Sequence, residues 1–303
     1  MKDSTYKYLL ILSMFLWGGG WSALKVLTPE LSADVIIFWR FFIMSLSFIP
    51  ILIFFKKPII LNRSNLNYIL GSSILNIAFM ISSFFGIKYG LAGGGGVIIT
   101  TLTPIMTFLL VAIVFRKNLQ KFQYIGITLG LIGAVIMLQT NDIEQFLNGS
   151  NIYFLLCAII WAGVTMLSQH SHKHIHPIHY SFIISLIATI VSFLYALYNG
   201  ANISSVFEQD RDFWIALIYL SVFGQTVATT IYFMVSGKLG SEETSSYMFL
   251  VPIFALLVAW LVLDEPIQTH IIIGGMISIV AVYFINKKSN PIKQKHHTPD
   301  LKQ

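Results

Sequence analysis

Leu102-Thr-Pro-Ile-Met-Thr-Phe-Leu109 recurs 148 residues further along the chain as Leu250-Val-Pro-Ile-Phe-Ala-Leu-Leu257. More pairs occur at this spacing or at one of 144 residues: Leu91 with Leu239, Gln120 with Gln268, Gly126 with Gly274, and Trp17 with Trp161. A single match is common in an apolar sequence, but paired prolines, glutamines and tryptophans together indicate an internal repeat. We therefore predict two homologous halves, residues 7–139 and 151–286.

The composition is that of a membrane protein. Hydrophobic residues make up 56% of the chain and charged residues 11%, whereas a soluble domain carries roughly 25% charged residues. Ten apolar segments are each about as long as a helix that crosses a bilayer. They are 7–27, 35–55, 66–86, 92–115, 121–139, 151–169, 178–198, 212–235, 243–263 and 269–286. Because lipid offers no hydrogen bonds to the backbone, such segments fold as helices. We predict an all-α integral membrane protein of ten transmembrane helices.

The basic residues predict the orientation. With the N-terminus in the cytoplasm, 15 of the 19 Lys and Arg residues fall on the inside and 3 on the outside, and Arg40 lies within the second helix. Cytoplasmic loops of membrane proteins carry such an excess of positive charge. Both termini are therefore predicted to be cytoplasmic, in the inner (plasma) membrane, with a basic disordered tail over 287–303. Each half has five helices, an odd number, so the second half crosses the membrane in the opposite direction. Inverted repeats are typical of secondary transporters.

The remaining composition narrows the class of protein. The net charge of +6 comes from Lys and Arg between apolar segments, so it predicts no nucleic-acid partner. Cys157 is the one cysteine, so the chain cannot form an internal disulfide. The spans contain no nucleotide motif, paired carboxylates or catalytic triad, and we predict no cofactor and no enzymatic activity. The expected partners are a small solute and the lipid bilayer. Gly126-x3-Gly130-x2-Gly133 gives a small-residue face for packing within the subunit or in a homodimer.

Several motifs resemble the drug/metabolite transporter superfamily, in its ten-helix branch with two EamA domains. Trp17-Gly-Gly-Gly-Trp21 is similar to the family's first-helix motif, Arg40 to its second-helix arginine, and the two proline segments to its fourth and ninth helices. The resemblance implies that helices one to four and six to nine surround a central cavity, while helices five and ten lie at the periphery. It also implies transport of small organic solutes such as amino acids, often outward. One departure from the family's pattern is Lys117. It is the repeat mate of Glu265, and the family often has a glutamate at both positions.

Polar, aromatic and proline residues at mid-membrane depth are the predicted cavity residues. Pro104 and Pro252 each remove a backbone donor and free a carbonyl, which either lines the solute path or reflects a packing kink. Since they are repeat mates, we predict matching deformations of the fourth and ninth helices. Amides inside the membrane either bind solute or hold helices together. Arg40 either binds a carboxylate, extends outward to the interface or pairs with a structural partner. The candidates are Trp17, Arg40, Asn76, Thr100, Thr103, Pro104, Trp161, Gln225, Thr229 and Pro252. Trp39 and Trp214 are predicted to lie at the outer interface.

A histidine tract offers an alternative function. Residues 169–179 contain five of the eight histidines, and such tracts can bind zinc or copper. The candidate ligands are His170, His172, His174, His176 and His179. The spans themselves contain no cluster of metal ligands, which favours a solvated cytoplasmic loop over metal handling. A membrane partner protein without transport activity is the remaining alternative. The substrate, the direction, the coupling ion and the oligomeric state do not follow from the sequence.

Overall fold

The computed structural model describes residues 3–27, 30–55, 63–89, 92–116, 119–138, 151–264 and 269–287, and every regular element in them is a helix. The helices are α1 (Asp3–Leu27), α2 (Ala33–Phe55), α3 (Arg63–Tyr89), α4 (Ala92–Phe115), α5 (Lys121–Leu138), α6 (Asn151–Ser171), α7 (Pro177–Tyr198), α8 (Arg211–Leu239), α9 (Ser241–Leu263) and α10 (Thr269–Ile285), with a short 3₁₀ helix at Ile203–Glu208. Among the described residues, eight of these helices are long and apolar enough to cross a membrane, and α5 and α10 are shorter apolar helices.

Polar residues end several of the apolar segments. At the start of α7, the side chain of His176 accepts a hydrogen bond from the Ile178 N–H, and Pro177 occupies the first turn, where a missing N–H costs nothing. At the start of α8, Asp210 Oδ1 accepts from the Phe213 N–H at 2.9 Å. Gly240 joins α8 directly to α9 with a φ of 95°, a backbone angle that favours glycine.

The packing of the helices has a two-fold pseudo-symmetry. Each helix of α1–α5 has its repeat mate five helices later, in α6–α10. By this correspondence, the contact of α1 with α9 should be matched by one of α6 with α4, and that of α3 with α6 by one of α8 with α1. All four of these contacts are present, and α2 with α7 and α5 with α10 pair with their own mates. Arg116 and Asp264, 148 residues apart, end α4 and α9 with φ of 49° and 51°. The predicted all-helical membrane fold of two five-helix repeats is confirmed.

The small-residue face of α5 packs inside the chain, at the edge of the bundle. A Cβ atom on Gly133 would lie 2.8 Å from the Gly274 carbonyl oxygen, and one on Gly274 would lie 2.6 Å from the Gly133 carbonyl oxygen. The other two glycines of the face lie against Ala281 of α10 and Phe249 of α9. Close backbone approach of this kind lets membrane helices pack tightly. This face is therefore occupied within the chain, and homodimerisation stays a prediction.

Both ends of the described chain lie at one end of the bundle, which we call the inner end. There, Lys7 Nζ is 3.4 Å from Glu243 Oε1, and Asn286 Nδ2 donates to Ser246 Oγ at 3.1 Å. An even number of crossings requires this arrangement. The predicted tail beyond Lys287 and the pair Lys117 and Glu265 lie outside the described residues.

The prediction of matching deformations at the two prolines is wrong. α4 remains α-helical through Pro104, whereas α9 contains a 3₁₀ turn, Tyr247–Leu250, before Pro252. Pro252 has no N–H for the Met248 carbonyl, and the Val251 N–H donates to that carbonyl instead, which is the tighter 3₁₀ bond. A second irregularity is the π-helical segment Tyr219–Thr229 within α8.

Candidate functional site

A cavity of about 130 Å³ lies among α1–α4, α6, α8 and α9. It has room for several water molecules or part of a small solute. Six of the predicted candidates line it, and they are Trp17, Arg40, Thr100, Trp161, Gln225 and Thr229. Other lining residues, including Trp21, Phe79, Ser83 and Met248, were not among the predicted candidates. The described lining contains no aspartate or glutamate.

Tryptophans from the two repeats meet at this cavity. The rings of Trp17 and Trp161 are 5.6 Å apart at an angle of 77°, an edge-to-face geometry that aromatic pairs favour. Phe79 lies 5.0 Å from Trp161, and Tyr232 lies 4.9 Å from Trp17. Because Trp17 and Trp161 are repeat mates, their contact places the cavity where the two halves of the molecule face each other.

The π-helical segment of α8 forms one wall. Thr229 Oγ1 donates to the Gly224 carbonyl five residues earlier, at 3.2 Å, and Trp17 Nε1 donates to the same carbonyl at 3.0 Å. Gly224 and Gln225 both line the cavity. Segments of π-helix are frequently found at functional sites, and this one attaches the wall of the second repeat to the tryptophan of the first. The hydropathy pattern gives no signal for it.

Each of the two prolines changes the hydrogen bonding of a residue that lines the cavity. A proline cannot donate to the carbonyl four residues earlier, which is that of Thr100 for Pro104 and that of Met248 for Pro252. Thr100 and Met248 line the cavity, whereas neither proline does. These two residues are themselves 148 apart. The repeat therefore places two residues whose carbonyls lack the usual α-helical donor at the cavity.

Arg40 also lines the cavity instead of extending to the membrane surface. It lies seven residues after the start of α2, a depth of about 10 Å along the helix. Its Nε atom is buried without a hydrogen-bond partner. Its neighbour Trp39 points elsewhere, and Trp39 Nε1 donates to the Ile203 carbonyl at 3.0 Å within an outer aromatic cluster that includes Trp214.

Both halves of the sequence match the model of the EamA-like transporter family, over residues 5–139 and 149–287. The chain belongs to the EamA-like transporter family. The chain is 26% identical over 291 residues to a protein of Salmonella typhimurium named as a probable amino-acid metabolite efflux pump, covering 92% of this chain and 93% of that one. An uncharacterized transporter of Archaeoglobus fulgidus is 26% identical over 310 residues, covering 96% and 100%. A solved crystal structure matches the fold with a TM-score of 0.73 at 14% identity, covering 94% of this chain and 97% of that one.

Besides the two prolines, two of the predicted candidates do not line the cavity of this EamA-like transporter. Asn76 Nδ2 donates to the Ser72 carbonyl at 2.9 Å, and Thr103 Oγ1 donates to the Ile99 carbonyl at 2.6 Å. Both side chains are buried and both bonds stay within one helix. A helix can satisfy a short polar side chain through its own preceding turn, which favours a structural role for these two residues over solute binding.

The histidine loop of this EamA-like transporter packs against surrounding helices at the inner end. The ring of His170 stacks on Phe115 at 5.2 Å and the ring of His174 stacks on Tyr68 at 5.4 Å. His172 packs against Gly237, and its burial, together with the charge of Lys238, lowers the pKa of His172 below its ordinary value of 6.5. Within the described part of the chain, no three His, Cys, Asp or Glu side chains are placed to share a metal ion.

Proposed function

We propose that the protein is a secondary transporter that exports a small polar organic metabolite, of the amino-acid class, by alternating access through the central cavity. The observation that carries this proposal is the contact of Trp17 with Trp161, because it centres the cavity on the axis that relates the two repeats. In inverted-repeat transporters, the solute site lies at that interface near the bilayer midplane. The efflux-pump name of the Salmonella relative supports outward transport of an amino-acid-like solute.

The inner end of the bundle is tightly packed below the cavity. Tyr180 and Tyr232 are fully buried there. The Tyr180 hydroxyl is hydrogen-bonded to Ser72, and the Tyr232 hydroxyl lies 3.0 Å from Thr165 Oγ1. We call these four residues the inner closure. Their hydrogen bonds connect α7 to α3 and α8 to α6. These hydrogen bonds must break before a solute can enter from the inner end.

The proposed orientation places the inner end in the cytoplasm. The histidine loop, Lys7 and Lys238 lie at this end, which agrees with the excess of basic residues expected on the cytoplasmic side. In this orientation, the structure represents a state that is closed to the cytoplasm. Export then proceeds by opening of the inner closure, entry of the solute and closure behind it.

Transport by the purified chain tests the proposal. The protein is reconstituted in liposomes loaded with an unlabelled amino acid, and uptake of the same labelled solute by counterflow is measured for a panel of amino acids, nucleosides and sugars. We expect accumulation of at least one amino acid, and its loss in Trp161→Ala. Trp214→Phe is the matched control, since that ring lies in the outer aromatic cluster. An absence of counterflow for every solute in the panel would refute the proposed function.

A further inference from the structure

We infer that Arg40 binds the carboxylate of the transported solute, so that the cavity selects small carboxylates with an apolar body. The inference rests on the proposed function and adds the substrate class to it. An arginine inside a membrane-spanning helix is costly unless it meets water, a protein partner or a ligand. The question is therefore which group offsets the charge of Arg40.

No protein group among the described residues does so. The one described ion pair joins Lys7 to Glu243, and the Arg40 side chain donates no described hydrogen bond, with its Nε buried. The nearest acidic residue along the helix, Asp34, lies at the start of α2, where Asp34 Oδ2 accepts from Asn199 Nδ2 at 2.9 Å. The guanidinium thus faces the cavity with its donors available.

The fold does not require a charge at this position. α7 is the repeat mate of α2 and packs against it, but α7 contains no lysine or arginine. Arg40 therefore breaks the pseudo-symmetry, because among the described lining residues the first repeat contributes one basic side chain and the second contributes none. A residue that serves only to pack the two repeats would be expected to have a counterpart.

The surroundings of Arg40 define the ligand. A guanidinium holds a carboxylate by two parallel hydrogen bonds, a geometry that an ammonium or hydroxyl cannot match. The aromatic rings of Trp17, Trp21 and Phe79 provide an apolar surface for the rest of the solute. Since no described lining residue is acidic, a substrate cation has no ionic partner. Among the polar lining residues, Gln225 Oε1 accepts from Thr229 Oγ1 at 3.4 Å and keeps a second lone pair for an amino group.

Binding of three related compounds to the purified protein tests this inference. Leucine has a carboxylate and an ammonium, 4-methylpentanoate has the carboxylate alone, and leucinamide lacks the carboxylate. Binding is measured by quenching of tryptophan fluorescence, since three tryptophans line the cavity, and by competition in counterflow. We expect leucine and 4-methylpentanoate to bind and leucinamide to bind about 10- to 100-fold more weakly, the range expected for loss of a charged hydrogen-bonded pair.

Variants of Arg40 separate this inference from the proposed function. Arg40→Gln should weaken carboxylate binding by about 10- to 100-fold, and Arg40→Lys should retain part of it because the charge remains. Arg211→Gln, which removes an exposed arginine at the start of α8, is the matched control and should bind as the unaltered protein does. Counterflow of leucine that is equal in Arg40→Gln and the unaltered protein overturns the inference but leaves transport intact. If Arg40→Gln does not fold, equal competition by leucinamide and leucine in the unaltered protein overturns it instead.

Discussion

Replacing Tyr232 with phenylalanine should favour opening of the inner end. The change removes one hydroxyl, which lies 3.0 Å from Thr165 Oγ1 and donates to Met248 Sδ at 3.5 Å, and it leaves the buried ring in place. A side-chain hydrogen bond between membrane helices contributes about 0.6 kcal/mol on average and about 1.7 kcal/mol at most. Because this bond must break on opening, its loss should raise the population of the inward-open state about 3-fold to about 20-fold.

The assay measures exposure of a cysteine just below the cavity. Cys157 is replaced by serine, and fully buried Val235 is replaced by cysteine, so that a membrane-impermeant maleimide reports how often the inner end opens. The protein is held in lipid nanodiscs, and the labelling rate is compared with and without Tyr232→Phe. When opening and closing are faster than labelling, this rate is proportional to the open population.

Two further variants test whether the Tyr232 hydroxyl itself holds the inner end closed. Tyr247→Phe removes a hydroxyl from the same buried cluster. None of the described residues forms a hydrogen bond with the Tyr247 hydroxyl, so the labelling rate of this variant should differ little from that of the unaltered protein. Thr165→Val combined with Tyr232→Phe should have little more effect than either change alone, because both remove the same bond. A labelling rate in Tyr232→Phe equal to that of the unaltered protein would mean that the hydroxyl is equally well bonded in both states.

Three other predictions concern packing, selectivity and pH. Gly133→Ala should lower the temperature of thermal unfolding by more than Gly71→Ala does, because its Cβ meets the Gly274 carbonyl at 2.8 Å whereas the other meets a flexible leucine methyl at 3.2 Å. Gln225→Leu should alter the relative counterflow rates of different amino acids, whereas Asn76→Leu should alter expression and thermal stability but not those relative rates. Since burial lowers the pKa of His172 below 6.5, the unfolded chain binds the proton more readily, and stability should fall as pH drops below about 6.5. Thermal unfolding of His172→Gln should show a smaller loss of stability between pH 7.5 and pH 5.5, and an equal loss would contradict this assignment.

The sequence predicted the fold because its two signals are local and repeated. Apolar segments of bilayer length can be recognised one at a time, and the spacing of Pro104 from Pro252 relates one half to the other. Trp17 and Trp161 could be placed at the centre for the same reason, since repeat mates close to a two-fold axis meet each other. These predictions needed no knowledge of how the helices rotate about their own axes.

The rest of the cavity depends on that rotation, which an apolar sequence does not specify. In a soluble helix, polar and apolar faces differ, but in α3 and α4 almost every face is apolar, so Phe79 and Met80 gave no signal that they line the cavity. For Asn76, depth alone suggested a solute contact, whereas in the structure its amide bonds to its own helix. The π-helical segment packs against α1 and α2, which are distant in the sequence.

The difference between α4 and α9 has a mechanical consequence. A 3₁₀ turn rises about 2.0 Å per residue and an α-helix about 1.5 Å, so the four residues Tyr247–Leu250 make α9 about 2 Å longer than uniform α-helix would be. If the opposite state is reached by exchanging the conformations of the two halves, α9 contracts by this length while α4 extends by it next to Pro104. The two helices contact each other and both line the cavity, so the exchange would slide one along the other at the cavity wall. Spin-label distances along α4 and α9, measured with and without solute, should then change by similar amounts in opposite directions.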